Sequence, residues 1–262
     1  MPRTGLYVPG DRPDRFDSAE RSGAELVVFD LEDAVSVERK AAALDAVLTR
    51  LGGAPMDAAV QVRVNAGADA ELRALAALPP VVGIRLPKVE TVDDVERAAA
   101  LAPGRPLTAL LESARGVLNA LSIAEHPAVT ALALGDSDLR SELGGGEPVI
   151  DHARLCALYA ARAAGLPPLM ASVYPAIRDL DGLAADTRRV AELGLVGRMA
   201  VHPTQLAVIA AVFAPAEADV SWAEEVLAAL ARGGVATLST GEMVDAAMRG
   251  RAESIIAARG QV

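Results

Sequence analysis

Short apolar runs alternate along most of the chain with longer stretches in helical spacing. The runs fall at residues 6–8, 26–31, 60–64, 82–86, 107–111, 129–134, 169–173 and 199–201. Each has the length of a buried strand and is bounded by turn-forming residues. Between them, residues 37–51, 92–101, 114–124, 151–164 and 180–193 are amphipathic or Ala-rich and read as helices. Gly and Pro mark the joints, as at Pro9-Gly10, Gly52-Gly53, Pro79-Pro80 and Pro103-Gly104. Eight strand candidates alternating with helices predict a parallel sheet, and eight is the number that closes a (β/α)8 TIM barrel. An open doubly wound sheet obeys the same alternation, because period carries no information about closure. Beyond residue 201 the character changes. Residues 205–213 and 221–231 read as helices, Arg232-Gly233-Gly234 breaks the pattern, and residues 235–251 form a last short element. The expected organisation is a barrel over residues 1–213 and a short C-terminal helical appendage over 214–262, within one domain.

The polar residues that end the strands carry the chemical information. The second run closes on Asp30-Leu31-Glu32-Asp33, the third on Arg63-Val64-Asn65 and the fourth on Pro87-Lys88. The fifth closes on Glu112-Ser113, the sixth on Gly135-Asp136-Ser137-Asp138, the seventh on Ser172-Val173-Tyr174 and the eighth on His202-Pro203. In a barrel all of these face one rim, where such folds place their sites. Any one of them alone reads as an ordinary loop residue; together they point to a site. Glu112 and Asp138, on neighbouring strands, offer two hard carboxylates without a His or Cys beside them. That donor set suits Mg²⁺ or Mn²⁺, which keep water or substrate oxygens in their remaining positions. A competing reading makes Asp136 or Asp138 the cap of the next helix. Arg63 has the planar fork that grips a carboxylate, or pairs with Asp30, Glu32 or Asp33. Lys88 is either a Schiff-base lysine or, better, a charged group among carboxylates. His202 is a base, a ligand or a loop hydrogen-bonding residue. Arg12 and Arg15, after the first strand, are two cations suited to phosphates.

Composition narrows the class. The net charge of −10 over 262 residues argues against a general nucleic-acid binder. The single cysteine, Cys156, allows no intrachain disulfide and no thiolate cluster. No apolar run approaches the roughly 20 residues that span a bilayer, and residues 1–10 lack a signal-peptide pattern. The expectation is a cytoplasmic protein with no membrane and no nucleic-acid partner.

Read as ordered motifs, Tyr-Val-Pro-Gly-Asp-Arg-Pro-Asp-Arg-Phe (7–16), Asp-Leu-Glu-Asp-Ala-Val (30–35), Arg-Val-Asn (63–65) and Leu-Pro-Lys-Val-Glu (86–90) open a longer series. Leu-Glu-Ser-Ala-Arg-Gly (111–116), Gly-Asp-Ser-Asp-Leu (135–139), Val-Tyr-Pro-Ala-Ile-Arg-Asp (173–179), Val-His-Pro-Thr-Gln (201–205) and Met-Val-Asp-Ala (243–246) continue it to the end of the chain. The series resembles the citrate lyase β-subunit and malyl-CoA lyase family. That resemblance implies a (β/α)8 barrel, usually assembled as a homotrimer, that cleaves or forms a 3-hydroxyacyl-CoA of the malyl, citramalyl or citryl type. The partners it implies are an acyl-CoA and a keto acid such as oxaloacetate, pyruvate or glyoxylate. By the same resemblance Glu112 and Asp138 are Mg²⁺ ligands and Arg63 grips the carboxylate. Lys88 and Asp136 join the substrate contacts, Arg12 and Arg15 border the CoA site, and Asp245 is a catalytic aspartate on a C-terminal lid. Two positions depart from the family pattern. Gly-Asp-Ser-Asp stands where Gly-Ala-Glu-Asp is common, and Ala246 follows Asp245 in place of proline. Alternatives within reach of the same residues are a CoA-independent metal aldolase and a citrate lyase β-type subunit that works only with partner subunits.

Overall fold

The computed structural model describes residues 1–231 and 236–259. Eight parallel strands make one sheet: β1 (Thr4–Pro9), β2 (Leu26–Asp30), β3 (Ala59–Arg63), β4 (Gly83–Leu86), β5 (Leu107–Leu111), β6 (Val129–Leu134), β7 (Met170–Ala171) and β8 (Gly197–Ala200). Their order is β6-β5-β4-β3-β2-β1-β8-β7, with at least one helix in every crossover, as parallel pairing requires. β1 pairs with both β2 and β8, so the sheet curls back past its own beginning. The two edge strands, β6 and β7, share no ladder among the described residues. A side chain bridges them instead: Ser172 Oγ lies 2.6 Å from the Leu134 carbonyl oxygen and 2.9 Å from Asp136 Oδ1. The result is a near-closed (β/α)8 barrel, not the open doubly wound sheet.

The strands form where Val, Leu, Ile and Phe run together, and these residues are buried almost without exception, as at Val27, Val28 and Phe29. Register then decides which strand-end residues become neighbours. Asp30 stands opposite Arg63, and Arg63 opposite Arg85.

Three local expectations change. β7 keeps only two ladder residues of the run 169–173. Pro167 and Pro168, which lack an N–H, precede it, and Ser172 turns its hydroxyl to β6. The helix expected over 114–124 is two, Ala114–Leu118 and Ala120–Ala124. They break at Asn119, whose side-chain amide donates to the Glu90 carbonyl at 2.8 Å. Helices at Phe16–Glu20, Asp69–Leu75 and Asp136–Leu143 are too short for hydrophobic period to announce them.

The described residues from Phe213 onward form a second compact unit. The helix Glu217–Ala231 packs Ala223, Val226 and Ala229 with Leu238, Val244 and Ala252 into a small core of their own. The expected single element after residue 235 is instead a hairpin, β9 (Ala236–Thr237) with β10 (Met243–Val244), followed by the helix Arg249–Arg259. The break at Arg232-Gly233-Gly234 lies outside the described residues. Among the described residues, no single helix is long and apolar enough to cross a membrane.

Candidate active site

The carboxyl ends of the strands gather the ionisable residues that the sequence singled out. Glu112, one residue past β5, is only 5% exposed. Its Oε2 accepts the Lys88 backbone N–H at 2.9 Å. Lys88 presents that N–H from a left-handed conformation, φ 53°, which a non-glycine residue adopts only at some cost in strain. Oε1 of Glu112 accepts no hydrogen bond among the described residues and lies against Gly135. A Cβ at residue 135 would fall 2.4 Å from that oxygen, so only glycine leaves the carboxylate its place. Burial, then the charge of Glu32, push the Glu112 carboxyl up to about 7; the Lys88 N–H opposes this and Asp138 adds to it.

Asp138 sits in the first turn of the helix Asp136–Leu143, whose N-cap is Gly135 with no side-chain cap. Neither aspartate therefore caps that helix. The Asp138 carboxylate makes no hydrogen bond or ion pair to any described residue. Asp136 is committed differently. It pairs with Arg154, 3% exposed, and meets the Ser172 hydroxyl. Arg154 also pairs with Asp151 at 2.6 Å and Glu147 at 3.2 Å. Asp136 is thus locked from behind, with both carboxylate oxygens engaged.

Arg63 is engaged as well. Its Nε and Nη2 donate to the two Asp30 oxygens at 2.7 and 2.6 Å, a full two-point fork. Its Nη1 faces Glu32 and Asp33 at 3.2 and 3.4 Å, and the guanidinium carbon lies 5.1 Å from the centre of the Tyr7 ring. The structure thus differs from a free fork waiting for a carboxylate: what Arg63 offers a ligand is its Nη1 edge. Glu32 is buried with Oε2 lacking a hydrogen bond, and burial raises its carboxyl above the usual range against the pull of Arg63. Lys88 Nζ stands 3.6 Å from Glu32 on a half-exposed side chain. Glu32 and the other carboxylates raise its pKa. An amine held protonated is poorly suited to a Schiff base, so Lys88 is a charge at the rim.

The remaining expected residues sit as follows. Arg12 is hydrogen-bonded to Asp14 at 2.9 and 2.6 Å on the surface, and Arg15 is exposed at the cavity edge. His202 caps a single turn through Thr204, the loop role. Asp245, in the C-terminal unit, accepts the Ala247 N–H at 2.9 Å and caps the turn Ala246–Met248.

A cavity of about 900 Å³ opens at this rim and reaches into the barrel. Glu112, Asp138 and Arg63 line it, and so do Tyr7 and Arg85 farther in. Among the described residues no group of three or more His, Cys, Asp or Glu forms a ready-made metal cage. Two carboxylates inside a surplus of negative charge remain, a donor set for a hard cation that keeps exchangeable oxygens. Arg154 and Arg85 escaped the sequence reading, and Tyr7 entered it only as the first residue of the motif 7–16. Arg154 carried a signal, since it falls on the apolar face of its helix with Ile150, Ala153 and Ala157. Arg85 did too, since it interrupts the apolar run 82–86.

Known proteins resemble this chain over most of its length. Residues 3–203 match the family model described as HpcH/HpaI aldolase/citrate lyase. A (3S)-malyl-CoA thioesterase of Cereibacter sphaeroides is 38% identical over 237 residues, 87% of this chain and 82% of that protein. A citrate lyase subunit beta-like protein of Mycobacterium tuberculosis is 34% identical, covering 98% of this chain and 95% of its own. The crystal structure of protein CitE from Mycobacterium tuberculosis, in complex with magnesium, acetoacetate and coenzyme A, superposes with a TM-score of 0.80. It is 32% identical and covers 98% of each chain.

Proposed function

The chain belongs to the HpcH/HpaI aldolase/citrate lyase family, and on that premise we propose that it is a Mg²⁺-dependent lyase. It makes or breaks the carbon–carbon bond between a keto acid and an acyl-CoA. The observation that carries this reading is the Glu112 carboxylate, buried at a strand end, held by the Lys88 N–H and seated on Gly135. Glu112 and Asp138 hold the ion, and Mn²⁺ fits the same donors. When bound, the metal supplies a Lewis acid for the oxygens of the keto or hydroxy acid.

The chain's own residues do the rest. Asp30 fixes the plane of Arg63, and the Nη1 edge of Arg63 holds the acid's carboxylate. Lys88 adds positive charge where the substrate carboxylates enter. Asp136, fixed by Arg154, shapes the wall beside Asp138. Arg12 exchanges its surface partner Asp14 for a phosphate of CoA, with Arg15 beside it; exposed, solvent-screened pairs give way readily. Asp245 takes a proton from the acyl α-carbon in condensation and returns it there in cleavage. The C-terminal unit acts as a lid, in a homotrimer where it serves a neighbouring subunit.

A second reading is hydrolysis of the thioester, favoured by the name of the Cereibacter relative. Purified protein with Mg²⁺ and malyl-CoA separates the two. Lyase action yields a keto acid and acetyl-CoA with no free thiol. Hydrolysis yields free CoA thiol and malate. No turnover of any acyl-CoA, or full turnover in excess chelator, would refute the proposal.

A further inference from the structure

Arg85 has no part in that chemistry, yet it is a charge inside the barrel. It projects from β4 on the same side as Arg63, its register neighbour on β3, and is only 4% exposed. Guanidinium stays protonated in proteins, and a buried charge is costly unless it is paired. The other buried arginines of this barrel are compensated. Arg3, Arg154 and Arg198 each meet a carboxylate, as does the partly buried Arg63, and Arg105 is surrounded by the main-chain carbonyls of Ala76, Leu78 and Pro79.

Arg85 has only neutral acceptors. Its Nε donates to Gln61 Oε1 at 3.0 Å, its Nη1 to the Tyr7 hydroxyl at 2.8 Å, and its Nη2 faces the Met199 sulfur at 3.9 Å. No carboxylate pairs with it among the described residues, and two of its five N–H bonds meet no described acceptor. It lines the cavity that begins at Glu112 and Asp138, together with Gln61, Thr108 and Met199. Gln61 is held by Thr108 at 3.0 Å, and the Tyr7 ring lies 5.5 Å from the Arg85 guanidinium carbon. The polar pocket is therefore built and oriented, inside a wall of aliphatic side chains such as Leu110, Ala131 and Met170. A low-dielectric wall strengthens any ion pair made within it.

We infer that Arg85, with Tyr7, Gln61 and Thr108 behind it, is a carboxylate-binding site in the barrel interior. The carboxylate is either the distal group of the acid that the rim engages, or a separate small acid lodged beneath it. The planar fork suits a carboxylate in particular.

The test needs no turnover, and its first arm needs no metal. Acetate and succinate are titrated calorimetrically into whole protein in EDTA, in a buffer free of other small carboxylates. Saturable binding is expected, weakened at least ten-fold by Arg85→Met, because the charged hydrogen bonds of the guanidinium are lost. Glu112→Gln leaves it in place, which separates this site from the rim. Arg85→Lys keeps the charge without the fork and lies between; it carries the test if Arg85→Met fails to fold. Competition identifies the source. If the distal carboxylate of a substrate acid fills the site, 2-oxoglutarate with Mg²⁺ displaces acetate and pyruvate does not. If a separate acid fills it, acetate binds beside either one. Both results support the site. Equal acetate affinity in the wild type and both Arg85 variants, or no saturable binding at all, overturns it.

Discussion

Glu112→Gln tests the electrostatics of the rim most directly, because the effect has a sign, a size and a pH window. Burial and neighbouring carboxylates raise the Glu112 carboxyl from the ordinary 4.5 to about 7. An acid whose folded pKa exceeds its unfolded one is bound to more protons in the folded state. Stability therefore falls as pH rises between those values and is level on either side. At about 1.4 kcal/mol per unit, ionised Glu112 costs the metal-free protein about 3 kcal/mol above pH 8 and nothing below pH 4. Glutamine keeps the shape and the acceptor for the Lys88 N–H but carries no charge. The variant is thus expected to match the wild type near pH 4.5 and to exceed it by about 2–3 kcal/mol at pH 8 in EDTA. That difference corresponds to a midpoint higher by roughly 5–10 °C for a domain of this size.

Mg²⁺ closes that gap. At a hundred times its dissociation constant it returns about 3 kcal/mol to the wild type and nothing to the variant. The assay is urea unfolding followed by circular dichroism at both pH values, with EDTA and with Mg²⁺. A variant less stable than the wild type by the same margin at both pH values would refute the electrostatic account. Equal stabilisation of both proteins by Mg²⁺ would refute the metal assignment.

Three further outcomes follow from the same geometry. Gly135→Ala brings a Cβ to 2.4 Å from Glu112 Oε1, so Mg²⁺ affinity measured calorimetrically should fall at least ten-fold while the circular dichroism spectrum is kept; unchanged affinity would contradict the seat described for Glu112. Arg63→Lys and Asp30→Asn each break the two-point fork, worth roughly 1.5–3 kcal/mol per charged hydrogen bond. Both should raise KM for the keto acid well above any change for the thioester, and a loss confined to the thioester side would reject that role. Asp245→Asn retains a good N-cap residue, so its melting temperature should hold while turnover drops about a hundred-fold or more; an active variant leaves Asp245 as a cap alone.

The alternation of apolar runs and helices, and the polar residue ending each run, were legible along the chain. Both are properties of near neighbours: period reports which face of an element is buried, and Gly and Pro report where it turns. The candidate set at the rim, Glu112, Asp138, Arg63 and Lys88, was visible for that reason. Which partner each takes was not: Asp30, Glu32 and Asp33 were equal candidates for Arg63. Asp30 engages the Arg63 fork because β2 and β3 pair in a register that sets those residues opposite. Asp136 is fixed by an arginine 18 residues later, on a helix that only closure of the barrel brings behind it. Asp245 and His202 cap turns, roles the sequence offered for each beside a chemical one, and local dihedral angles make the caps. Arg85 shows the limit most clearly. In the sequence it is one charge in an apolar run; in the fold it is a buried cation facing a cavity, with no carboxylate partner among the described residues. Burial and solvation belong to the assembled barrel, and they decide what a charged side chain costs and what it can bind.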